Sequence, residues 1–585
     1  MECLHSIYSY PLKRSVPLNQ TKSLKLRMKG PYPYSLVLPA LIVYGVLYVL
    51  PAASGFLLSF FNVKTFKISS FTFAGLENYA TVLRNPYFSV AIKNTLLFSI
   101  VTTLGKVGFG LALALLVNNR FRGVNYMRTV FFLPAVLNNV AVGLVFRSMM
   151  HPSGLINRTL TTIGLGALTQ NWLTNPKIAI FSCAFVEIWK WTGYTMVILL
   201  AGLQAIDTTY YEAAELDGAS RWQQFRSVTL PLIMPAFNNA VVISIVGGLK
   251  VFDIVQALTN GGSRQCDLRF RNADLLLVQQ RKLWTRVCRQ HDPDVLRAAH
   301  CPADQSLPVR KGGRGMKRRT HFLRTAFGFL LSLFMLTPFA MIVLNSFKTK
   351  KEAAELGLAL PKQWNILENY RAVMETGVLH AFRNSCIVTC LSVLLIILLS
   401  ALAAFILQRR NTRFSRKLTT FFVLGLIVPG QIIPTYMLCS YLHLKTFAGA
   451  AAVLTAANLP LGTFLYLGAL KSIPRDIDEA AILDGCGSLT LFFRVVFPLL
   501  KPMTVTLFIL TFMNIWNDFG TTIYFLNTSE NYTLPLTIYN FFSTHSSDWN
   551  LVFTDVVIVS LPVVLLYFCA QKQIMSGMTS GAVKG

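Results

Sequence analysis

Apolar runs of similar length recur along this chain, near residues 33–59, 94–117, 129–148, 177–203 and 232–249, then near 323–345, 384–407, 418–438, 447–470, 499–517 and 551–570. Each approaches the ~20 residues that a helix needs to cross roughly 30 Å of hydrocarbon. In that medium a backbone N–H or C=O must find its partner within the protein, which a helix does along its own length. The expected fold is an all-α polytopic membrane protein of about five spans followed by six. Prolines within a run, such as Pro39 and Pro51 in the first, are tolerable there as kinks. With 53% hydrophobic residues, 43 Phe, 14% charged residues and a mean hydropathy of +0.51, the chain could not hide its apolar surface in a water-soluble globule.

The formal net charge of +29 would suit nucleic acid, but the basic residues fall in short segments between the runs. Examples are Arg120 and Arg122, Lys317-Arg318-Arg319, and Arg409-Arg410 with Arg413 and Arg416-Lys417. Lysine and arginine in short loops hold those loops on the cytoplasmic side, so membrane lipid, and no nucleic acid, is the expected partner. Residues 1–32 are basic and polar with no apolar core, and read as a cytoplasmic tail without a cleavable signal. Cys183, Cys386, Cys390 and Cys569 lie in or beside apolar runs as small hydrophobes. Cys266, Cys288 and Cys301, near His291 and His300, have no zinc-motif spacing, so no metal is expected.

One polar motif occurs twice. Glu212-Ala213-Ala214-Glu215-Leu216-Asp217-Gly218 returns as Glu479-Ala480-Ala481-Ile482-Leu483-Asp484-Gly485, and a proline, Pro231 or Pro498, follows each glycine at the same distance. A repeat with matched spacing outweighs local propensity as evidence. Glu-Ala-Ala favours a helix, the glycine a tight turn, and the stretch up to the proline a second short helix. Such a helix-turn-helix between spans is exposed and compact enough to dock on a soluble partner. A second pair, Leu76-Glu77-Asn78-Tyr79 and Leu367-Glu368-Asn369-Tyr370, falls in an outer segment after each first span and points to the same duplication.

At the Glu-Ala-Ala residues the chain resembles the permease subunits of binding-protein-dependent ABC importers, whose shared cytoplasmic loop reads E-A-A-x3-G-x9-I-x-L-P. Val228 and Val495 stand in place of its isoleucine, and Phe497 in place of the second leucine. The stretch Phe121-Arg122 through Pro134 and the C-terminal Gln573 through Gly585 resemble the carbohydrate-uptake branch. The resemblance implies a duplicated importer transmembrane domain, two different permease subunits joined in one chain, in the cytoplasmic (inner) membrane of a bacterium or archaeon. It implies that Glu212, Ala213, Ala214, Asp217, Gly218 and Pro231, and Glu479, Ala480, Ala481, Asp484, Gly485 and Pro498, form coupling loops seated on two separate ATP-binding cassette subunits. Those subunits would use the ATP, with no cofactor bound directly by this chain, and an extracytoplasmic solute-binding protein would deliver a sugar or oligosaccharide.

No G-x-x-x-x-G-K-[ST] P-loop and no H-E-x-x-H array occurs, so the chain is not expected to be an enzyme. A secondary, ion-coupled transporter is also built from repeats, and an importer of a non-carbohydrate solute such as a phosphorylated polyol shares the family. These are the alternatives. The first has no need of a Glu-Ala-Ala loop.

Polar groups inside spans are costly and are functional candidates by default. The candidates for a substrate path are Asn138, Asn139, Trp191, Asn238, Asn239, Gln431, Asn514, Trp516, Asn517 and Asp518. An aromatic ring can stack on the apolar face of a sugar while amides and carboxylates bond its hydroxyls. Equally, Asn238-Asn239 would join neighbouring helices, and Asn517-Asp518 would cap a helix or support a gate. Glu187 and Lys190, three residues apart, would share one helix face and neutralise each other. Pro429 and Pro434 with Gln431 predict broken backbone in the run 418–438. Gly105, Gly108 and Gly110 offer small surfaces for helix packing or sit in lipid-facing helix, and the terminal glycines suggest a strand-like end.

The pattern breaks between Ser263 and Gly315, which are polar and basic, with no apolar run long enough to cross. The first half thus lacks its last span. Five spans from an inside start leave residue 263 outside, and a second half starting there would carry its Glu479 loop on the face opposite the Glu212 loop. The segment is an irregular re-entry, an insertion that displaced the last span, or translation out of frame between two adjacent genes with Met316 as a natural start. The third fits best, because resemblance resumes at once after Met316; a flexible linker is the plainer alternative. The expected organisation is a tail at 1–32, a first permease domain at 33–262, the irregular segment at 263–315 and a second permease domain at 316–585.

Overall fold

The computed structural model describes residues 32–62, 71–118, 123–259, 314–426, 428, 430–541 and 548–582. The doubtful cysteines and histidines of the middle segment, Arg120, Arg122 and Pro429 lie outside them.

The first half begins with α1 (Tyr34–Leu58), a two-residue antiparallel ribbon of β1 (Phe61–Asn62) and β2 (Thr72–Phe73), and α2 (Glu77–Arg84). It continues through α3 (Pro86–Val117), α4 (Val124–Val136), α5 (Asn139–Met149), α6 (Ala179–Gln204), α7 (Thr208–Leu216), α8 (Arg221–Lys250) and α9 (Asp253–Thr259). The second comprises α10 (Arg314–Ser346), α11 (Ile366–Val373), α12 (Leu379–Arg409), α13 (Arg413–Leu424), α14 (Ile432–Tyr441), α15 (Phe447–Leu470), α16 (Asp476–Leu483), α17 (Ser488–Leu499), α18 (Lys501–Trp516) and α19 (Trp549–Ala582).

Among the described residues, eight helices are long and apolar enough to cross a membrane, or ten if α4–α5 and α17–α18 each count as one bent span. The all-α polytopic expectation holds, with corrections. The run 129–148 is bent by 98° where Asn138 starts a new helix, and 488–516 is bent by 78° at Leu500. The run 418–438 is two pieces, α13 and α14, separated around Gln431 as its prolines predicted. The C-terminus is helical through Ala582, not strand-like, because the glycines there follow an uninterrupted apolar helix that carries them along.

Three prolines share one local solution. Pro51, Pro231 and Pro498 are each preceded by a widened π turn, at Gly45–Val49, Phe225–Thr229 and Leu491–Val496. Proline has no N–H and its ring crowds the carbonyl four residues back; widening the preceding turn accommodates both.

Helix direction follows from side-chain neighbours. α3 and α6 run parallel, with Gly105 against Ile188 and Gly110 against Thr195; Gly108 faces open space. α12 and α15 also run parallel, with Ser392 bonded to the Ala451 carbonyl and Ser400 against Gly462. Arg128 at the start of α4 donates to the Val117 carbonyl at the end of α3, and Tyr567 and Gln571 of α19 reach Thr129 beside it. The start of α19 lies at the other end, where Thr554 bonds the Ser346 carbonyl and Asn550 bonds Asn369. There too the first turns of α12 meet the segment before α19, through Asn384 and Ser385. The ends of α6 and α15, and hence both Glu-Ala-Ala loops, therefore stand on one face.

That removes the conflict that a second half starting outside would raise. α10 begins on the loops' face, with Phe329 stacked on Tyr126, and ends on the far face, with Met341 beside Ser148. α9 runs along α5, Asp253 by Asn139 and Ala257 by Gly143, so Thr259 is directed to the far face. Thr259 and the start of α10 therefore lie towards opposite faces.

Each half lends its first span to the other. On α1, Tyr44 stacks on Phe422 at 5.2 Å and Tyr48 donates to the Val428 carbonyl at 2.6 Å. On α10, Phe339 packs on Trp189 and Phe334 on Phe185. The two apolar cores accordingly mix residues of both halves.

Candidate functional site

The two loops are built alike from matching residues. α7 and α16 both end on a glycine in the left-handed region, Gly218 at φ 76° and Gly485 at φ 84°. In each, the N–H after the glycine returns to the carbonyl five residues back, Ala219 to Ala214 and Cys486 to Ala481. This is the turn by which glycine satisfies the last carbonyls of a helix. Glu212, Ala213, Asp217, Gly218 and Pro231 are exposed, as are Glu479, Ala480, Asp484, Gly485 and Pro498; Ala214 is half-buried and Ala481 buried. Two residues before each glycine a leucine stands in solvent, Leu216 at 90% and Leu483 at 87% exposure.

Local caps differ. Asp207 accepts from the Thr209 N–H at 3.0 Å, and this bond holds its carboxyl below the usual carboxylate range. Ser220 and Gln223 form a reciprocal cap for the start of α8, where the second loop has Gly487. The second loop is instead pinned by Asp478, one residue before Glu479. Arg409 Nη2 donates to its Oδ1 at 3.1 Å, and Nε lies 2.7 Å from Oδ2 but off the line of its N–H, held there by charge. Tyr32 Oη donates to Oδ2 at 3.0 Å. Burial, then the Asp478 carboxylate, push the Tyr32 phenol up to about 12, so it stays a donor. Asp478, Arg409 and Tyr32 were not singled out from the sequence as site residues; the only signal was an acidic residue where the first loop has Tyr211.

A polar seam joins the halves where α4 breaks. Asn138 caps α5 by accepting from the N–H groups of Val140 and Ala141, and its Nδ2 donates to the Asn517 carbonyl at 2.9 Å. Asn517 answers, its Nδ2 donating to the Val136 carbonyl at 2.9 Å. Lys190 donates to Asn139 Oδ1, and Asn139 Nδ2 to Asp253 Oδ2 at 3.3 Å. Asp518 accepts from the N–H groups of Thr521 and Thr522, capping the next turn. Asn138 and Asn517 thus bridge the halves, with Asp518 next to Asn517, and Asn139 next to Asn138 bonded to Lys190 and Asp253.

The remaining candidates scatter. Trp191 is half-buried, edge-on to Tyr194 at 5.9 Å. Asn238 and Asn239 are exposed on α8, and among the described residues neither has a hydrogen-bond partner. Gln431 lies against Gly55 of α1, so close that a Cβ there would meet its amide. Asn514 donates to Asn458 Oδ1 at 2.9 Å. Trp516 is a correction: it is buried, stacked on Phe512, edge-on to Phe382, and its Nε1 bonds the Val559 carbonyl, so its ring has no free face for a sugar. The expected Glu187–Lys190 pair is also absent. Glu187 meets Lys106 of α3 at 3.4 Å, and Lys106 also donates to the Ser244 carbonyl, because the parallel packing of α3 on α6 brings a cation closer than the local spacing does.

Comparison with known families matches the binding-protein-dependent transport system inner membrane component twice, over residues 106–273 and 396–579. Among relatives, the probable starch degradation products transport system permease protein AmyC of Thermoanaerobacterium thermosulfurigenes is 38% identical over 273 residues, 46% of this chain and 99% of that one. The trehalose/maltose transport system permease protein MalF of Thermococcus litoralis is 36% identical over 245 residues, 42% of this chain and 82% of that one. The melibiose/raffinose/stachyose import permease protein MelC of Bacillus subtilis is 35% identical over 253 residues, 42% of this chain and 91% of that one. Each relative is about half as long as this chain. With two family matches, two matching loops and two interlocked bundles, the chain belongs to the inner-membrane permease family of binding-protein-dependent ABC importers, and consists of two permease-sized halves in one polypeptide.

Proposed function

We propose that the chain forms the translocation path of an ATP-driven importer of a sugar or oligosaccharide. Its two Glu-Ala-Ala loops contact two separate ATP-binding cassette subunits, and an extracytoplasmic solute-binding protein delivers substrate at the far face. The observation that carries this reading is the pair of matching loops on one face, each leaving a leucine in water. An ion-driven carrier has no use for two such helices. The sugar class rests on the relatives, whose names give starch degradation products, trehalose and maltose, and melibiose, raffinose and stachyose.

The path runs through the seam. Broken helices at membrane depth are sustained where they line a cavity or lie within protein, and here a broken α4–α5 meets the end of α18 with amide and carboxylate groups suited to hydroxyls. Alternating access parts the Asn138–Asn517 bonds on one side of the cycle. Asn238 and Asn239 add exposed amides along α8. On this proposal the permease units are 33–262 and 316–585, with 1–32 a tail and 263–315 a join.

The test is uptake of labelled maltodextrin into proteoliposomes holding the chain, its ATPase subunits and binding protein. Uptake is expected to require ATP; uptake driven by a proton or sodium gradient alone would overturn the reading. Asn517→Ala and Asp518→Ala are expected to change the substrate dependence of uptake, and an unchanged dependence would leave both residues with structural roles only.

A further inference from the structure

The two loops share a backbone but not their fastenings. Among the described residues, the polar side-chain bonds of the first loop close within 207–229: Asp207 on Thr209, Tyr211 Oη against Thr229 Oγ1 at 3.1 Å, Ser220 with Gln223, and Gln224 on the Ala219 carbonyl. Its helix α7 buries no residue. The second loop is tied to two other elements. Arg409, the last residue of α12, grips Asp478 and also donates to the Ile473 carbonyl at 3.1 Å, and Tyr32, two residues before α1, bonds Asp478 from the first half.

The tie is buried as well as polar. The side chains of Arg409 and Asp478 are 3% and 0% exposed, and a carboxylate held that far from water is fixed to the groups that meet its charge. Next to it, Tyr34 bonds Thr412 and Ser415 and lies under the Arg410 guanidinium at 4.3 Å, so the start of α1 is clasped to the second half at several points. Asp478 and Tyr211 occupy the same place in the repeat, one residue before the glutamate. Among the described residues, this position carries the fastening in the second loop, whereas in the first its Tyr211 bonds only within the loop.

We propose that Arg409 and Tyr32, gripping Asp478, form a joint that carries movement of the second coupling helix into α12 of its own half and α1 of the other. Among the described residues the first coupling helix has no such joint, and on this proposal the two ATPase contacts are mechanically unequal. This rests on the coupling role proposed above for the loops. Tyr32 and Arg409 are positioning residues, acting through the loop.

The experiment compares variants in the reconstituted importer, reading sugar moved per ATP hydrolysed, together with cross-linking of Leu216→Cys and Leu483→Cys to the ATPase subunits. Tyr32→Phe removes one hydroxyl and leaves the ion pair. Its transport per ATP is expected to fall about threefold, the scale of one net hydrogen bond, with the cross-links kept. Tyr48→Phe removes a comparable phenol bond, to Val428, from the helix that follows Tyr32, and is expected to leave the ratio unchanged. If Tyr32→Phe does not insert, Arg409→Lys, which keeps the charge but not the two-nitrogen grip, is expected to lower the ratio in the same way. An unchanged ratio with cross-links kept, or an equal fall in Tyr48→Phe, overturns the joint alone. Absence of cross-links from both loops in the otherwise unaltered protein overturns the coupling role, and the joint with it.

Discussion

Leu216 and Leu483 hold the same place on two helices and both leave their side chains in water. Burying such a side chain gives about 2 kcal/mol, so Leu216→Asp or Leu483→Asp is expected to weaken retention of the ATPase subunits by about 30-fold at each loop, with membrane insertion intact. Co-purification over an ATPase titration measures it. Gly218 and Gly485 set the direction of these helices. A Cβ at either meets nothing within 4 Å, so the objection to a side chain there is conformational, not steric crowding. A β-branched residue is a poor occupant of the left-handed region, and Gly218→Val and Gly485→Val are expected to lower uptake while ATP hydrolysis continues. Normal uptake in both would remove the coupling assignment. The matched loops were legible in the sequence because their geometry is local. The Asp478 fastening was not, because its partners lie 69 and 446 residues away.

The repeated Leu-Glu-Asn-Tyr segments show how an element is held at its end. Asn78 donates both amide protons to carbonyls two residues apart, Ser59 and Phe61, and Asn369 does the same to Ser346 and Lys348. Each asparagine closes the end of its half's first span against the helix that follows. Asn369 is buried and also accepts from Asn550, whereas Asn78 is half-buried. Asn369→Ala is therefore expected to destabilise the protein by about 1–3 kcal/mol through unmet buried carbonyls, and Asn78→Ala by less. Thermal unfolding in detergent compares them, and equal losses would contradict the account. The repeat was legible, but its role was not, since the carbonyls it serves carry no motif. The 98° bend was missed for a related reason: the run 129–148 is apolar enough to read as one span, and the cap that splits it is a single asparagine. Glu187 was misassigned because spacing on one helix says nothing of a cation on the next, here Lys106.

At the scale of the whole molecule, the halves are interlocked, each first span lying on the other half's bundle, with the Asn138–Asn517 bonds between them. The many-span character and the duplication followed from hydropathy and repeat spacing, but the count of five plus six did not, since the run 418–438 is broken into two short helices; nor did this exchange, because the aromatic contacts that make it, such as Tyr44 on Phe422, have no sequence period. The arrangement places both Glu-Ala-Ala loops on one face although Thr259 and the start of α10 are directed to opposite faces. That shared face is what the coupling requires, since two ATPase subunits can engage only loops on the same side. The most direct measurement is labelling of Leu216→Cys and Leu483→Cys, each alone in a background with the native cysteines replaced, by a membrane-impermeant maleimide in inside-out and right-side-out vesicles. Both positions should react in inside-out vesicles and neither in right-side-out ones. Reaction of the two from opposite sides of the membrane would rule out a shared face for the loops.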